Sequence, residues 1–298
     1  MNSYGELVRT LRIDKEIRLK DLYANIMSKS YAISFEKGEH EISFYLLSQI
    51  LKRLPMAIDE FLFLYQGEPH SLTDWFYQEY GHYANNDDIA GLKQLRQSYQ
   101  QKDPDSPFLA IRLAEIDARI DQLNYFNQHG VLTNTCINAT SLTIIKNYLA
   151  TIQTWTINNL RFLANTLDYI DYQEKVTYFQ LLLPALDKYK DFEPGREVIC
   201  TLLINAIHQS VMSLEFYGVN VLLAKLASFS EPISAMYYKN AQQFYTGLKL
   251  IYQQQIKAGT KLVNQAIATL QQLHYPHQAA LYQSAYQEFL EKIQINLA

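Results

Sequence analysis

The chain has 298 residues, with 26 basic against 30 acidic side chains, a net charge of -4 and 48% apolar residues. That is an ordinary globular composition with room for one small and one larger domain. It excludes a globally basic chain, and no run reaches the roughly 18 consecutive apolar residues that a membrane span requires.

Met1 to Thr10 carries Glu6 and Arg9 and has no apolar signal-peptide core, so the expected location is the cytoplasm. Cys136 and Cys200 stand alone, without metal-ligand spacing, and read as buried thiols of a reducing compartment. The scarcity of Pro and Gly leaves long periodic segments, which favour helices.

Residues 1–66 predict five short helices. The first carries Leu7, Val8 and Leu11. The second spans about 19–26 with Leu22 inward. Ile26 or Met27 fills the turn after it. The third starts near Ser28, is anchored by Ile33, and ends at Gly38, a residue that takes positive φ at little cost. The fourth is capped by Ser43, buries Leu46, Leu47, Ile50, Leu51 and Leu54, and stops at Pro55. The fifth covers Ile58 to Leu64, with Phe61 and Leu62 inward.

The breaker run Gln66-Gly67-Glu68-Pro69 marks a domain boundary. Residues 67–107 read as a linker with connecting helices, interrupted at Asn85-Asn86-Asp87-Asp88 and at Asp103-Pro104-Asp105-Ser106-Pro107.

Residues 108–298 read as consecutive helices over about 108–128, 134–150, 154–169, 173–190, 195–213, 218–229, 232–254, 259–273 and 276–296. Gly130, Asp191, Pro194-Gly195, Glu231-Pro232, Gly259 and Pro276 fall in the turns. Loops this short join antiparallel neighbours. Leu203-Ile204-Asn205-Ala206 and Tyr238-Lys239-Asn240-Ala241 match at a shift of 35, close to the tetratricopeptide period. The expected fold is therefore all-α: a small N-terminal domain and a tetratricopeptide-like repeat domain with a concave face.

The segment from Arg18 to Gly38 has the layout helix, tight turn, helix. It holds Arg18, Lys20, Lys29 and Lys37 against Asp21 and Glu36. The run Ser28-Lys29-Ser30-Tyr31, with Ser34, falls at the exposed start of the second helix of this pair. There a recognition helix meets phosphates and base edges, with Lys20 and Lys37 as flanking cations.

These residues resemble the phage-repressor-like helix-turn-helix class, and more narrowly the Rgg/GadR/MutR regulators. The resemblance is carried by Leu11-Arg12, Leu22, Ser28-Lys29-Ser30, Phe35-Glu36-Lys37-Gly38-Glu39, Glu41-Ile42-Ser43 and Ile58-Asp59-Glu60-Phe61. It implies a structural pairing of Arg12 with Glu36. Three positions depart from the family pattern. Tyr31 stands where Gln is usual and Ser34 where Arg is usual, so base preference should differ. Tyr23 replaces a small residue, a feature of the PrgX type of pheromone receptor.

The resemblance extends at lower specificity over roughly residues 70–298, with the clearest stretches at 202–207, 247–250 and 265–267. It implies a short peptide ligand, with asparagines of the concave face clamping the peptide backbone. An amide both donates and accepts, which suits a peptide group. By matching, Asn205 is the first position, Asn240 its equivalent one repeat later, and Asn158, Asn159 and Arg161 lie on an earlier helix. The implied assembly is a homodimer on double-stranded DNA.

No metal or cofactor is expected. Pro276 separates His274 from His277, and phosphate-loop, dinucleotide and nucleophile-elbow motifs are missing from the sequence. No enzyme is expected. The residues alone also fit an interaction scaffold with a degenerate helix-turn-helix, or a dimeric regulator that needs no ligand.

Overall fold

A computed structural model describes residues 3–66, 71–130 and 135–297. Among them every regular element is a helix. The expected breaker at 67–69 lies outside the described residues. The chain divides into two compact units, Met1–Gly91 and Leu92–Ala298.

The first unit holds α1 (Tyr4–Asp14), α2 (Leu19–Tyr23), α3 (Lys29–Glu36), α4 (Phe44–Arg53), α5 (Ile58–Gln66) and α6 (Leu72–Asn85). Serines start four of them. Ser3 accepts from the Glu6 N–H, Ser28 from the Tyr31 N–H, Ser43 from the Leu46 N–H and Ser71 from the Asp74 N–H, each satisfying a donor the helix itself cannot. Leu7, Val8, Leu22, Tyr23, Ala32, Phe35, Leu47, Ile50, Leu51, Leu54 and Phe61 form the core, with Ile26 and Met27 packed against it. Gly38 ends α3 at φ +75°, as its type predicts. Gly5 has a different role: a Cβ there would lie 1.7 Å from the Phe35 carbonyl oxygen, so α1 and α3 touch backbone to backbone.

One anchor differs from expectation. Ile33 is 36% exposed, and Ala32 and Phe35, both fully buried, hold α3 instead. Helical spacing allows 32, 35 and 36 to share one face, and that face turns to α1, which leaves 33 outside.

α7 (Ile89–Lys102) crosses the division. The second unit continues with α8 (Leu109–His129), α9 (Ala139–Thr151), α10 (Ile157–Thr166), α11 (Tyr172–Leu186), α12 (Glu193–Met212), α13 (Val219–Phe229), α14 (Met236–Tyr252), α15 (Ile256–Gln272) and α16 (Pro276–Leu297). α8 with α9, α12 with α13 and α14 with α15 form hairpins, and α12 packs on α10 and α14 in turn. One continuous core runs from Ala114 to Ile293. Cys200 is buried there, whereas Cys136 is only partly covered.

Three expected turns are helical, at Pro194-Gly195, at Gly259 and at Pro276, which opens α16. Pro194 and Gly195 open α12, with Pro in the first turn where its missing N–H costs nothing. Gly259 lies inside α15 and faces Gly247 of α14. A Cβ on either would come within 2.8 Å of the other's carbonyl oxygen.

Polar ties connect the hairpins. Glu115, fully buried, accepts from Arg112 at 2.9 Å and from Asn165 at 2.8 Å. Burial pushes its carboxyl above the usual range against the pull of Arg112. Lys292 of α16 donates to the Met212 carbonyl at the end of α12, at 3.0 Å. No helix among the described residues is long and apolar enough to cross a membrane.

Candidate nucleic-acid interface and ligand pocket

In the first unit, α2 ends at Tyr23, and Asn25 at φ +59° reverses the chain before Ser28 caps α3. The result is the expected helix-turn-helix. Ser28, Lys29, Ser30 and Tyr31 are all exposed and crowd the first turn of α3. The Ser28 and Ser30 hydroxyls lie 3.2 Å apart. Lys20 is exposed on α2.

Ser34 and Lys37 sit toward the far end of α3 and serve Glu39. The Ser34 hydroxyl bonds its carboxylate and holds it below the usual range, and Lys37 approaches it at 3.6 Å. Four of the seven expected contact residues thus converge on the helix start, one lies on the preceding helix and two lie near its end.

A buried brace fixes α3 from behind. Arg12 donates through Nε to Glu36 Oε1 at 2.6 Å and through Nη2 to Oε2 at 2.8 Å. Its Nη1 reaches the Ile17 carbonyl at 3.0 Å. The Tyr23 hydroxyl donates to Glu36 Oε1 at 3.0 Å. The Arg12–Glu36 pairing implied by resemblance is present, and Tyr23, noted as a departure, fills the carboxylate's remaining side. Hydrogen bonding to Glu36 raises the Arg12 guanidinium pKa, and burial pushes the Tyr23 phenol well above its usual value. The guanidinium therefore stays charged and the phenol stays a neutral donor, as the bonds require.

In the second unit, α11, α12 and α13 enclose a pocket of about 330 Å³. Its wall is mainly apolar, with Val176, Phe179, Leu183, Ala206 and Leu222 among the lining residues, and Lys175 brings a cation to it. Lys175 Nζ donates to Gln209 Oε1 at 2.7 Å, and Gln209 donates in turn to the Asp168 carboxylate. Burial holds the Lys175 ammonium below the usual lysine value. No sequence signal announces this pocket, because its lining comes from three helices at unrelated spacings.

The five expected peptide contacts are scattered. Asn159 is engaged in a capping box with Thr156 and also donates to the Tyr148 hydroxyl at 2.9 Å. Asn158 and Arg161 share α10 with it, one exposed and one half-buried. Asn205 is half-buried and reaches the Ala164 carbonyl at 3.4 Å. Asn240 is buried and donates to the Ala266 carbonyl at 3.1 Å, beside a second cavity of about 420 Å³ lined also by Tyr237 and Leu270. Asn205 thus turns toward α10 and Asn240 toward α15. Among the described residues, no three His, Cys, Asp or Glu side chains gather as a metal site.

Residues 92–284 match the family model of the C-terminal domain of the HTH-type transcriptional regulator Rgg. Solved structures align along nearly the whole chain. A candidate transcriptional regulator from Listeria monocytogenes EGD-e is 28% identical with a TM-score of 0.91, over 99% of each chain. The SHP pheromone receptor Rgg2 of Streptococcus dysgalactiae is 21% identical with a TM-score of 0.75, over 97% of this chain and 100% of that one. PrgX in complex with iCF10 is 18% identical with a TM-score of 0.76, over 99% and 98%. No curated protein matches at a significant level.

Proposed function

The chain belongs to the Rgg family of helix-turn-helix transcriptional regulators, and on that premise we propose that it is a cytoplasmic homodimer that reads a two-fold-related DNA site through α3 and responds to a short peptide held in the repeat unit. The observation that carries the DNA reading is the first turn of α3. Ser28, Lys29, Ser30 and Tyr31 all face solvent there while the opposite face is locked by Arg12, Glu36 and Tyr23. Hydroxyls, a lysine and unsatisfied helix N–H groups suit phosphates, and a phenol suits a base edge or a thymine methyl. Two such helices in a dimer reach half-sites about one helical turn apart.

The peptide reading rests on likeness to the pheromone receptor Rgg2 and to PrgX bound to iCF10. The apolar pocket between α11, α12 and α13 supports it, since its volume and lining suit one or two large apolar side chains. Peptide binding shifts an existing equilibrium between DNA-competent and DNA-incompetent forms. A second reading, a regulator whose repeat unit serves only for dimerisation, is favoured by one observation: the amides of Asn159, Asn205 and Asn240 are already engaged within the fold.

Fluorescence anisotropy with the DNA upstream of the chain's own gene tests both readings. The titration is run with and without the peptide encoded by a small neighbouring reading frame. Specific, salt-sensitive binding that the peptide shifts supports the first reading. Binding that the peptide leaves unchanged supports the second. Replacing Ser28 and Lys29 by Ala should weaken binding and lower the salt slope by about one unit, as expected for one lost phosphate contact; an unchanged slope would count against the placement of α3 on DNA.

A further inference from the structure

Tyr31 is 42% exposed on the first turn of α3, a position where a tyrosine ring is ordinarily free to change rotamer. Here the ring lies against His40 of the α3–α4 loop, with centroids 4.0 Å apart and planes 32° from each other. A second neighbour of His40 is Phe35, at 6.4 Å and 46°, a side chain wholly inside the core. Phe35, His40 and Tyr31 thus form a short column from the interior of the unit to its DNA-facing surface. His40 contributes at a cost, because its Nε2 is buried without a hydrogen-bond partner. The nitrogen takes no part in the stack, so what the ring offers Tyr31 is its aromatic face.

We propose that His40 is a positioning residue for Tyr31, fixing the direction in which the phenol enters the groove and thereby the base preference at one position of the DNA site. The inference rests on α3 being the base-reading helix. A side chain ordered before binding does not lose its rotamer freedom on contact, and it meets only one base edge well. An unstacked tyrosine at the same place samples several directions and discriminates less. The coupling typical of an aromatic pair corresponds to about 2- to 13-fold in preference.

The test uses the full chain and a random-sequence duplex library. Enrichment first defines the preferred site. Competition anisotropy then compares that site with its single-base variants for the wild type, Tyr31→Ala, His40→Leu and His40→Phe. Leucine keeps the apolar packing and removes the stack, whereas phenylalanine keeps the stack and removes the nitrogen. Tyr31→Ala should flatten the preference at one base pair. His40→Leu should flatten it at the same pair by about 2- to 13-fold with the salt slope unchanged, and His40→Phe should restore it.

Preference retained in His40→Leu overturns the proposal, as does equal flattening in His40→Phe or no effect of Tyr31→Ala. If the wild type enriches no sequence, the DNA reading itself has failed. If it enriches one and only the histidine variants are silent, the fault lies with this inference alone.

Discussion

Replacing Tyr23 by Phe removes one hydroxyl from the buried brace behind α3, and its effect can be worked out from the geometry. The hydroxyl donates to Glu36 at 3.0 Å in a place where the carboxylate side chain is 5% exposed. A hydrogen bond to a charged group contributes about 1.5–3 kcal/mol. The ring itself stays, so no cavity opens. That loss is a large share of the stability of a small unit, and it corresponds to roughly 10- to 150-fold faster exchange of the slowest amides there. Glu36→Ala is harsher. It leaves Arg12, 14% exposed, without its bidentate partner, and breaking a buried pair costs about 3–5 kcal/mol.

Hydrogen exchange read by mass spectrometry on the full chain suits this test, because peptides from residues 3–66 and from 135–297 report separately. Both variants should accelerate the first set and leave the second unchanged. Adding Tyr23→Phe to Glu36→Ala should cost little more, since the phenol's acceptor is already gone. A Tyr23→Phe change below about 3-fold would refute the reasoning, because it would put the bond well under the range for a charge-assisted contact.

Gly259→Ala should destabilise the repeat unit even though alanine is better than glycine in a helix by about 1 kcal/mol. The new Cβ would lie 2.5 Å from the Gly247 carbonyl and 2.8 Å from the Ile251 N, both backbone atoms that cannot swing aside. Overpacking of this kind costs about 1–3 kcal/mol, and a higher urea midpoint would show that the crossing relaxes. Acid should also weaken the repeat unit. Burial lowers the pKa of His208, whose Nδ1 lies 3.1 Å from the Tyr245 hydroxyl. A lowered folded value means that the stabilisation is complete above the usual histidine value and fades as pH falls below it, by at most about 1.4 kcal/mol per pH unit. Urea titrations between pH 7 and 5 should show that slope in the wild type and a shallower one in His208→Gln.

What the chain reveals before it is folded depends on how local the cause is. Ser43 as a cap and Gly38 as a stop follow from one residue and its neighbours, and both stand where expected. The Arg12–Glu36 pair spans 24 residues and was accessible only through family resemblance. Gly259 misled, because a glycine that serves a close helix crossing looks the same in sequence as one that serves a turn. Ile33 misled for a related reason: apolar character does not say which of two adjacent helical positions faces the core. The pocket of α11, α12 and α13 and the column through His40 were invisible, since each assembles side chains whose spacing follows no period.

The bond from Lys292 to the Met212 carbonyl joins residues 80 apart in sequence. It works as a catch: the last helix reaches back over two hairpins and fastens to the end of α12. A stack of hairpins held only by neighbours can fan open one joint at a time, but a stack with a catch must release it before the hairpins can spread. Any signal that opens the repeat unit therefore has a threshold, and Lys292, fastened two residues beyond the pocket-lining Ser210, helps set its height.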